Sequence, residues 1–240
     1  MTRANQKAKT YKGTILVALS IVFAFVVVLG AIIGISVKSK KYSFMDGQIL
    51  YAYYTTYCDS LTLAQNESES QKDIGGAGYI FTENGYHYIC AFVYTSRADA
   101  ESVCKKNNGG GVVEIKTQNL PQKVKKVAKN NENWLNLFHL LEDCFNSLRE
   151  LATTIDTENL SEAEVFSKIF VWLEKANDLS CKFSDSKDVL GDICDLVILE
   201  FKEYISASRT PLERNYKMKE LCFKLIELYN LSASVLTENI

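Results

Sequence analysis

The chain has 240 residues, 47% of them hydrophobic, which is ample to bury a sizeable core. Its net charge of −2 conceals a split: residues 1–41 carry seven basic side chains and no acid, which leaves 20 basic against 29 acidic residues in 42–240. An acidic body excludes a nucleic-acid surface, because neutralising phosphates needs a basic face.

Gly13 to Val37, GTILVALSIVFAFVVVLGAIIGISV, contains no charged residue, no Asn or Gln and no Pro. At ~1.5 Å per residue it is long enough to cross a hydrocarbon core of ~30 Å. A secretory signal has an apolar region of only ~7–15 residues. Here Lys38, Lys40 and Lys41 follow directly, so the stretch predicts an uncleaved transmembrane helix behind a cytoplasmic tail, residues 1–12. Arg3, Lys7, Lys9 and Lys12 outnumber the basic residues on the far side, a small bias that favours the N-terminus inside and the body outside, whereas seven cysteines in the body argue for the opposite topology. Gly30 and Gly34 have the small-xxx-small spacing that permits pairing of two such helices into a homodimer.

Residues 42–117 are rich in Tyr, Thr, Val and Gly and read with a period of two. QILYAYYTTY (48–57) is a strand with Leu50 and Ala52 opposite Tyr51 and Tyr53. Cys58 to Asp73 is a short polar helix fading into a loop, and AGYIF (77–81) is the next strand. Asn84-Gly85 is a two-residue turn signal. Tyr86 to Tyr94 alternates Tyr88, Cys90, Phe92 and Tyr94 against Ile89, Ala91 and Val93. A helix from about Arg97 to Asn107 follows, broken by Gly109-Gly-Gly111, and VVEIK (112–116) is the last strand. The order β-α-β-β-α-β predicts an α+β module with two helices on one face of a four-stranded antiparallel sheet.

Residues 120–240 predict four antiparallel helices. Trp134, Phe138, Leu141, Phe145, Leu148, Ala152 and Ile155 form one apolar stripe. A capping box, Ser161 to Glu164, opens a second helix with Val165, Ile169, Trp172, Ala176 and Leu179 inward. A third spans about Ser186 to Ser206, and Pro211 starts a fourth that carries Met218, Leu221, Leu225 and Tyr229.

Little in the sequence points to catalysis. The two histidines, His87 and His139, have structural surroundings, and no phosphate loop, GxSxG or HExxH occurs. Seven cysteines show neither CxxC nor zinc-ligand spacing, so no metal and no cofactor is expected, and Cys144, Cys194 and Cys222 read as core residues. The stronger feature is the aromatic strand face. A sheet with helices on one side leaves its other side to solvent, where polar residues normally sit. Tyr51, Tyr53, Tyr88, Phe92 and Tyr94 would line that side. The face is either covered by the protein's own chain or is a binding platform, and Tyr suits sugars, stacking on C–H faces while its hydroxyl hydrogen-bonds.

Residues 42–117 also resemble the SPOR domain family of bacterial envelope proteins. Gln48 stands where the family has Gln in its first strand, Tyr86 to Tyr94 is similar to its later repeat strand, and Thr95-Ser-Arg-Ala-Asp-Ala-Glu101 matches its Ser-Arg-x-x-Ala helix start. Phe92 stands where the family often has glycine. The resemblance implies a module that binds peptidoglycan glycan strands lacking stem peptides, at division septa, through its sheet face, with Gln48 a contact carried over by position. It implies peptidoglycan as partner, and the short tail, single membrane helix and outer module fit the family's architecture, while the lack of catalytic motifs predicts a single-pass membrane protein that is not an enzyme. The other class of function compatible with the residues is an anchored scaffold whose helical region recognises another envelope or division protein.

Overall fold

The computed structural model describes residues 45–157, 162–182, 189–207 and 210–238. The predicted membrane segment Gly13–Val37, its paired glycines Gly30 and Gly34, the flanking lysines and the capping Ser161 lie outside the described residues. No helix among the described residues is long and apolar enough to cross a membrane.

The fold is α+β. Strands β1 (Ile49–Cys58), β2 (Tyr79–Glu83), β3 (Tyr86–Tyr94) and β4 (Gly111–Lys116) form one antiparallel sheet in the order β2-β3-β1-β4. Helix α1 (Leu61–Lys72) links β1 to β2, and α2 (Arg97–Lys106) links β3 to β4. The β2–β3 turn is made by Asn84 and Gly85, both at positive φ (53° and 82°), as the Asn-Gly dipeptide predicts. Ser96 caps α2, its hydroxyl accepting from the Asp99 N–H at 3.4 Å.

The pairing of β1 with β3 contains two irregularities that the sequence pattern does not display. Tyr53 faces Phe92, but Tyr54 faces Cys90, so Ala91 is an extra residue on β3. Tyr54 faces Cys90 while Thr56 faces Ile89, so Thr55 is an extra residue on β1. Each bulge shifts the alternation by one, and a one-residue shift moves every later side chain to the other face. Each face of the sheet therefore changes character halfway along.

Towards one end, Tyr51, Tyr53, Phe92 and Tyr94 share the face covered by α1 and α2. The Arg97 guanidinium of α2 reaches Glu114, which pairs with Tyr51 in the ladder, and both helices pack on β1 and β3. Small side chains allow this close approach: Ala64 on α1 and Ala100 on α2 are fully buried, and the Ser68 hydroxyl donates to the Gly78 carbonyl. The expectation that the aromatic side lies opposite the two helices is thus corrected. The aliphatic set, Leu50, Ala52, Val93, Val113 and Ile115, occupies the opposite face.

That aliphatic face is covered by the rest of the chain. Beyond β4 a short helix α3 (Gln122–Asn130), which the sequence reading did not foresee, precedes α4 (Glu132–Thr157), α5 (Glu162–Cys181), α6 (Val189–Ala207) and α7 (Pro211–Glu238). Helices α4 to α7 pack in a cycle, α4 on α5, α5 on α6, α6 on α7 and α7 on α4. Their inward stripes follow the predicted periodicity: Phe138, Phe145, Ile169, Val197, Phe201, Leu225 and Tyr229 are all buried, as are Cys144, Cys194 and Cys222. No pair of cysteines forms a disulfide among the described residues. Leu50, Ala52, Val93, Val113 and Ile115 belong to the same apolar cluster as Leu120, Val124, Phe138 and Tyr229. Helix α7 crosses onto the sheet, where the Tyr79 ring stacks on Phe223 at 4.4 Å and its hydroxyl donates to Glu227 at 2.6 Å. Further along α7, Asn230 accepts from the Gln118 N–H and Ser234 donates to the Gln118 side chain, both at 2.7 Å. The sheet is a middle layer with helices on both sides.

One acid in the helical layer has a consequence for pH. Burial, and then the neighbouring charge of Asp143, push the Glu142 carboxyl up to about 7 from its ordinary 4.5. Between those values the folded chain holds a proton that the unfolded chain releases, so this group's contribution to stability falls as pH rises through the window. Glu142→Gln is expected to raise stability at pH 8 by about 1 kcal/mol, discounted for the side chain's partial exposure. It should also flatten the slope between pH 4.5 and 7. Thermal melts of both chains across that range are the check.

Candidate functional site

The two bulges have a second result. Past them, Tyr54, Tyr57, Tyr86 and Tyr88 turn to the face on which α7 packs, together with Phe81 and Tyr79 of β2. The ladder fixes this: Tyr57 pairs with Tyr88, Tyr88 with Phe81, and Cys90 with both Tyr54 and Tyr79. Helix α7 covers the Tyr79 end. At the other end Tyr57 is 56% exposed and Tyr86 45%, while Tyr54, Tyr88 and Phe81 are half-buried beneath them.

The rings form a connected group. Tyr57 meets Tyr86 edge-on at 5.5 Å between centroids and lies 5.9 Å from Tyr88, and Tyr54 meets Tyr88 edge-on at 5.0 Å. Edge-to-face contacts of this kind hold rings rigidly without closing their outer faces. Burial, followed by the closeness of Tyr88 and Tyr57, raises the Tyr54 phenol above its ordinary value, so it stays a hydrogen-bond donor at neutral pH. The result is an aromatic surface bearing phenolic hydroxyls at the open end of a sheet, with the exposed Glu83 directly beside Tyr86.

The residues singled out from the sequence are not brought together. Tyr88 joins this open group. Tyr53 (5% exposed) and Phe92 (3%) are buried on the other face, where Tyr94 meets Phe92 edge-on at 5.1 Å and Tyr51 is half-buried. Gln48, expected within the first strand, lies one residue before β1, where its backbone N–H donates to the Thr117 hydroxyl at 2.9 Å and its carbonyl accepts from the Thr117 N–H at 3.0 Å. Tyr54, Tyr57 and Tyr86 were missed. The adjacent Tyr53 and Tyr54 already show that rings must occur on both faces, but the bulges that sort them leave no mark in the sequence.

On the buried side, Tyr53, Phe92 and Tyr94 line a cleft of about 480 Å³ between α1 and α2, with Thr55, Gln71, Asn107 and the α7 lysine Lys219. Among the described residues no group of three or more His, Cys, Asp or Glu side chains could hold a metal ion. His87 contacts the Thr82 hydroxyl at 2.8 Å, and His139 lines a separate polar groove with Asp143, Lys175 and Asp178.

Comparisons with protein families, with curated proteins and with solved structures return no match.

Proposed function

We propose that this is a membrane-anchored cell-envelope protein that binds peptidoglycan glycan strands stripped of stem peptides, and that the strand lies across the exposed tyrosines at the open end of the sheet. Tyr57 and Tyr86 present ring faces for stacking on sugar C–H faces, and Tyr54 and Tyr88 supply hydroxyls beneath them. The observation that carries the reading is the pair of exposed rings, Tyr57 and Tyr86, held 5.5 Å apart on the sheet face opposite α1 and α2. In the SPOR family that face is the glycan-contacting one, and here α7 leaves this end of it uncovered. The anchor is the predicted helix Gly13–Val37. The chain is read as a localisation device without enzymatic activity.

The test is co-sedimentation of the full chain with amidase-treated peptidoglycan. Tyr57→Ala combined with Tyr86→Ala is expected to weaken binding at least thirtyfold, since each aromatic contact contributes about 1–3 kcal/mol by analogy with other stacked rings. Both side chains are largely exposed, so the melting temperature should stay within a few degrees of wild type. Unchanged binding by this double variant would remove the reading.

A second reading has its own observation. Phe170 and Val171 on α5, and Leu196 and Leu199 on α6, are exposed large apolar residues on two helices that pack together. They would suit a scaffold whose helical layer recognises another envelope or division protein. Loss of a captured partner on Phe170→Ser and Leu199→Ser, with glycan binding intact, would favour it.

A further inference from the structure

We propose that the basic face of α3 docks on the anionic headgroups of the bilayer that holds the Gly13–Val37 anchor. This contact rests on the membrane-anchored part of the reading above and needs none of its glycan surface.

Charge is unevenly spread over the body. Residues 42–240 hold 20 basic against 29 acidic side chains, yet Lys116 to Asn131 carries five lysines and no acid. Lys123, Lys125, Lys126 and Lys129 fall within the nine residues of α3. Asp46, which pairs with Lys125 at 2.5 Å, and Glu132, the first residue of α4, offset part of this charge and leave it net positive.

The packing of α3 fixes where the charge points. Val124 and Ala128, one turn apart, are 4% and 0% exposed, and the helix packs on α4 and α7. With about 3.6 residues per turn, burying those two turns Lys126 and Lys129 away from the core. Both are exposed, and among the described residues neither has an ion-pair partner. Because Val124 and Ala128 are already used in the core, a contact made by this helix is electrostatic and not an insertion of its apolar side.

A row of exposed lysines is ordinarily just a solvated face, and its position decides otherwise here. Residues Met45 to Gly47 are fastened to the entry of α3. Asp46 accepts from the Leu120 N–H at 2.7 Å besides pairing with Lys125. The Gly47 N–H donates to the Gln118 carbonyl at 3.2 Å, and the Thr117 hydroxyl donates to the Met45 carbonyl. The predicted anchor ends at Val37, so only residues 38–44 separate it from Met45. A chain of that length spans at most ~28 Å. Helix α3 is therefore kept within one short tether of the headgroups, whichever side of the membrane the body occupies. Tethering of this kind raises the effective concentration of the two surfaces, so a weak attraction is enough to hold them together. Lysines beside a membrane anchor are attracted to anionic lipid within about a Debye length, ~8–10 Å.

The experiment is amine acylation of the full chain inserted in nanodiscs of phosphatidylcholine alone or mixed with phosphatidylglycerol. The uncharged reagent N-hydroxysuccinimidyl acetate is used, and modified lysines are mapped by mass spectrometry. Lys126 and Lys129 are expected to react at least threefold more slowly in the anionic discs, while Lys105 and Lys106, exposed at the end of α2, react equally in both. High salt should remove the difference. Equal rates for Lys126 and Lys129 in the two kinds of disc overturn the proposal. Slowing in neutral discs that grows with the number of chains per disc would assign the face to a second copy and overturn it too. Equal slowing by free sn-glycerol 3-phosphate at millimolar concentration would mark a phosphate site instead of a membrane surface, with the same consequence. A chain that stays outside the discs removes the anchor itself, and this contact with it. Co-sedimentation with stripped peptidoglycan reports separately on the Tyr57–Tyr86 surface in every case.

Discussion

A fragment comprising residues 42–117 is expected not to fold. Read from the sequence, this stretch is a self-contained module with one solvated sheet face. In the structure that face carries Leu50, Val93, Val113 and Ile115, all nearly fully buried within one apolar cluster that continues into the helical layer. Exposing four such side chains costs roughly 1.5–3 kcal/mol each, on the order of 10 kcal/mol together. A domain of this size is stable by about 5–15 kcal/mol in total. The fragment would also lose the Tyr79–Phe223 stack and the Tyr79–Glu227 hydrogen bond, in which burial and then Glu227 hold the phenol well above its ordinary range. Sedimentation velocity should show aggregates, and circular dichroism should show no cooperative melt. A monomeric fragment with a sharp transition would mean that the sheet does not depend on the helices.

Gly110→Ala is expected to be the most damaging single methyl addition in the sheet. Gly110 sits just before β4 at φ +77°, and a Cβ there would lie 2.0 Å from the Tyr54 carbonyl oxygen and 3.1 Å from the Thr55 Cα. Those atoms belong to the backbone at the β1 bulge, so no side chain can swing aside to make room. Left-handed backbone in a residue with a side chain already costs about 1 kcal/mol or more. Displacing the bulge adds to this, for a total of at least about 3 kcal/mol. Because the bulge turns Tyr57 outward, a variant that still folds should also lose glycan binding. A denaturant midpoint within error of wild type would contradict this account of the glycine.

Much of the fold is legible because its elements follow simple periods. The alternation in Tyr86–Tyr94, the Asn84-Gly85 turn and the Trp134–Ala152 stripe each place an element close to where it lies, and the element order β-α-β-β-α-β follows from them. Helix α3 was missed because nine residues, KVKKVAK at their centre, bear only Val124, Val127 and Ala128 as apolar anchors. The faces were misread for a different reason. Strict alternation puts Tyr88 with Phe92 and Tyr94, and Tyr57 with Tyr51 and Tyr53. One extra residue on each strand, Ala91 and Thr55, reverses both assignments, and neither residue type marks a bulge. Position of the helices added a second error: the two crossover helices prefer the face where small residues, Ala64, Ser68 and Ala100, can approach Tyr53 and Ile89, and the larger helices take the aliphatic face. Lys219 could not have been placed in a cleft with Phe92 from sequence, since 127 positions separate them.

The most direct measurement is nitration of tyrosines in the full chain with tetranitromethane, mapped by mass spectrometry with and without amidase-stripped glycan. In the free chain Tyr57 and Tyr86 should react first and Tyr53 should resist, as their exposures dictate. Added glycan should protect Tyr57 and Tyr86 together. Nitration of these two residues at the same rate in the presence of saturating glycan would contradict the assignment of this surface.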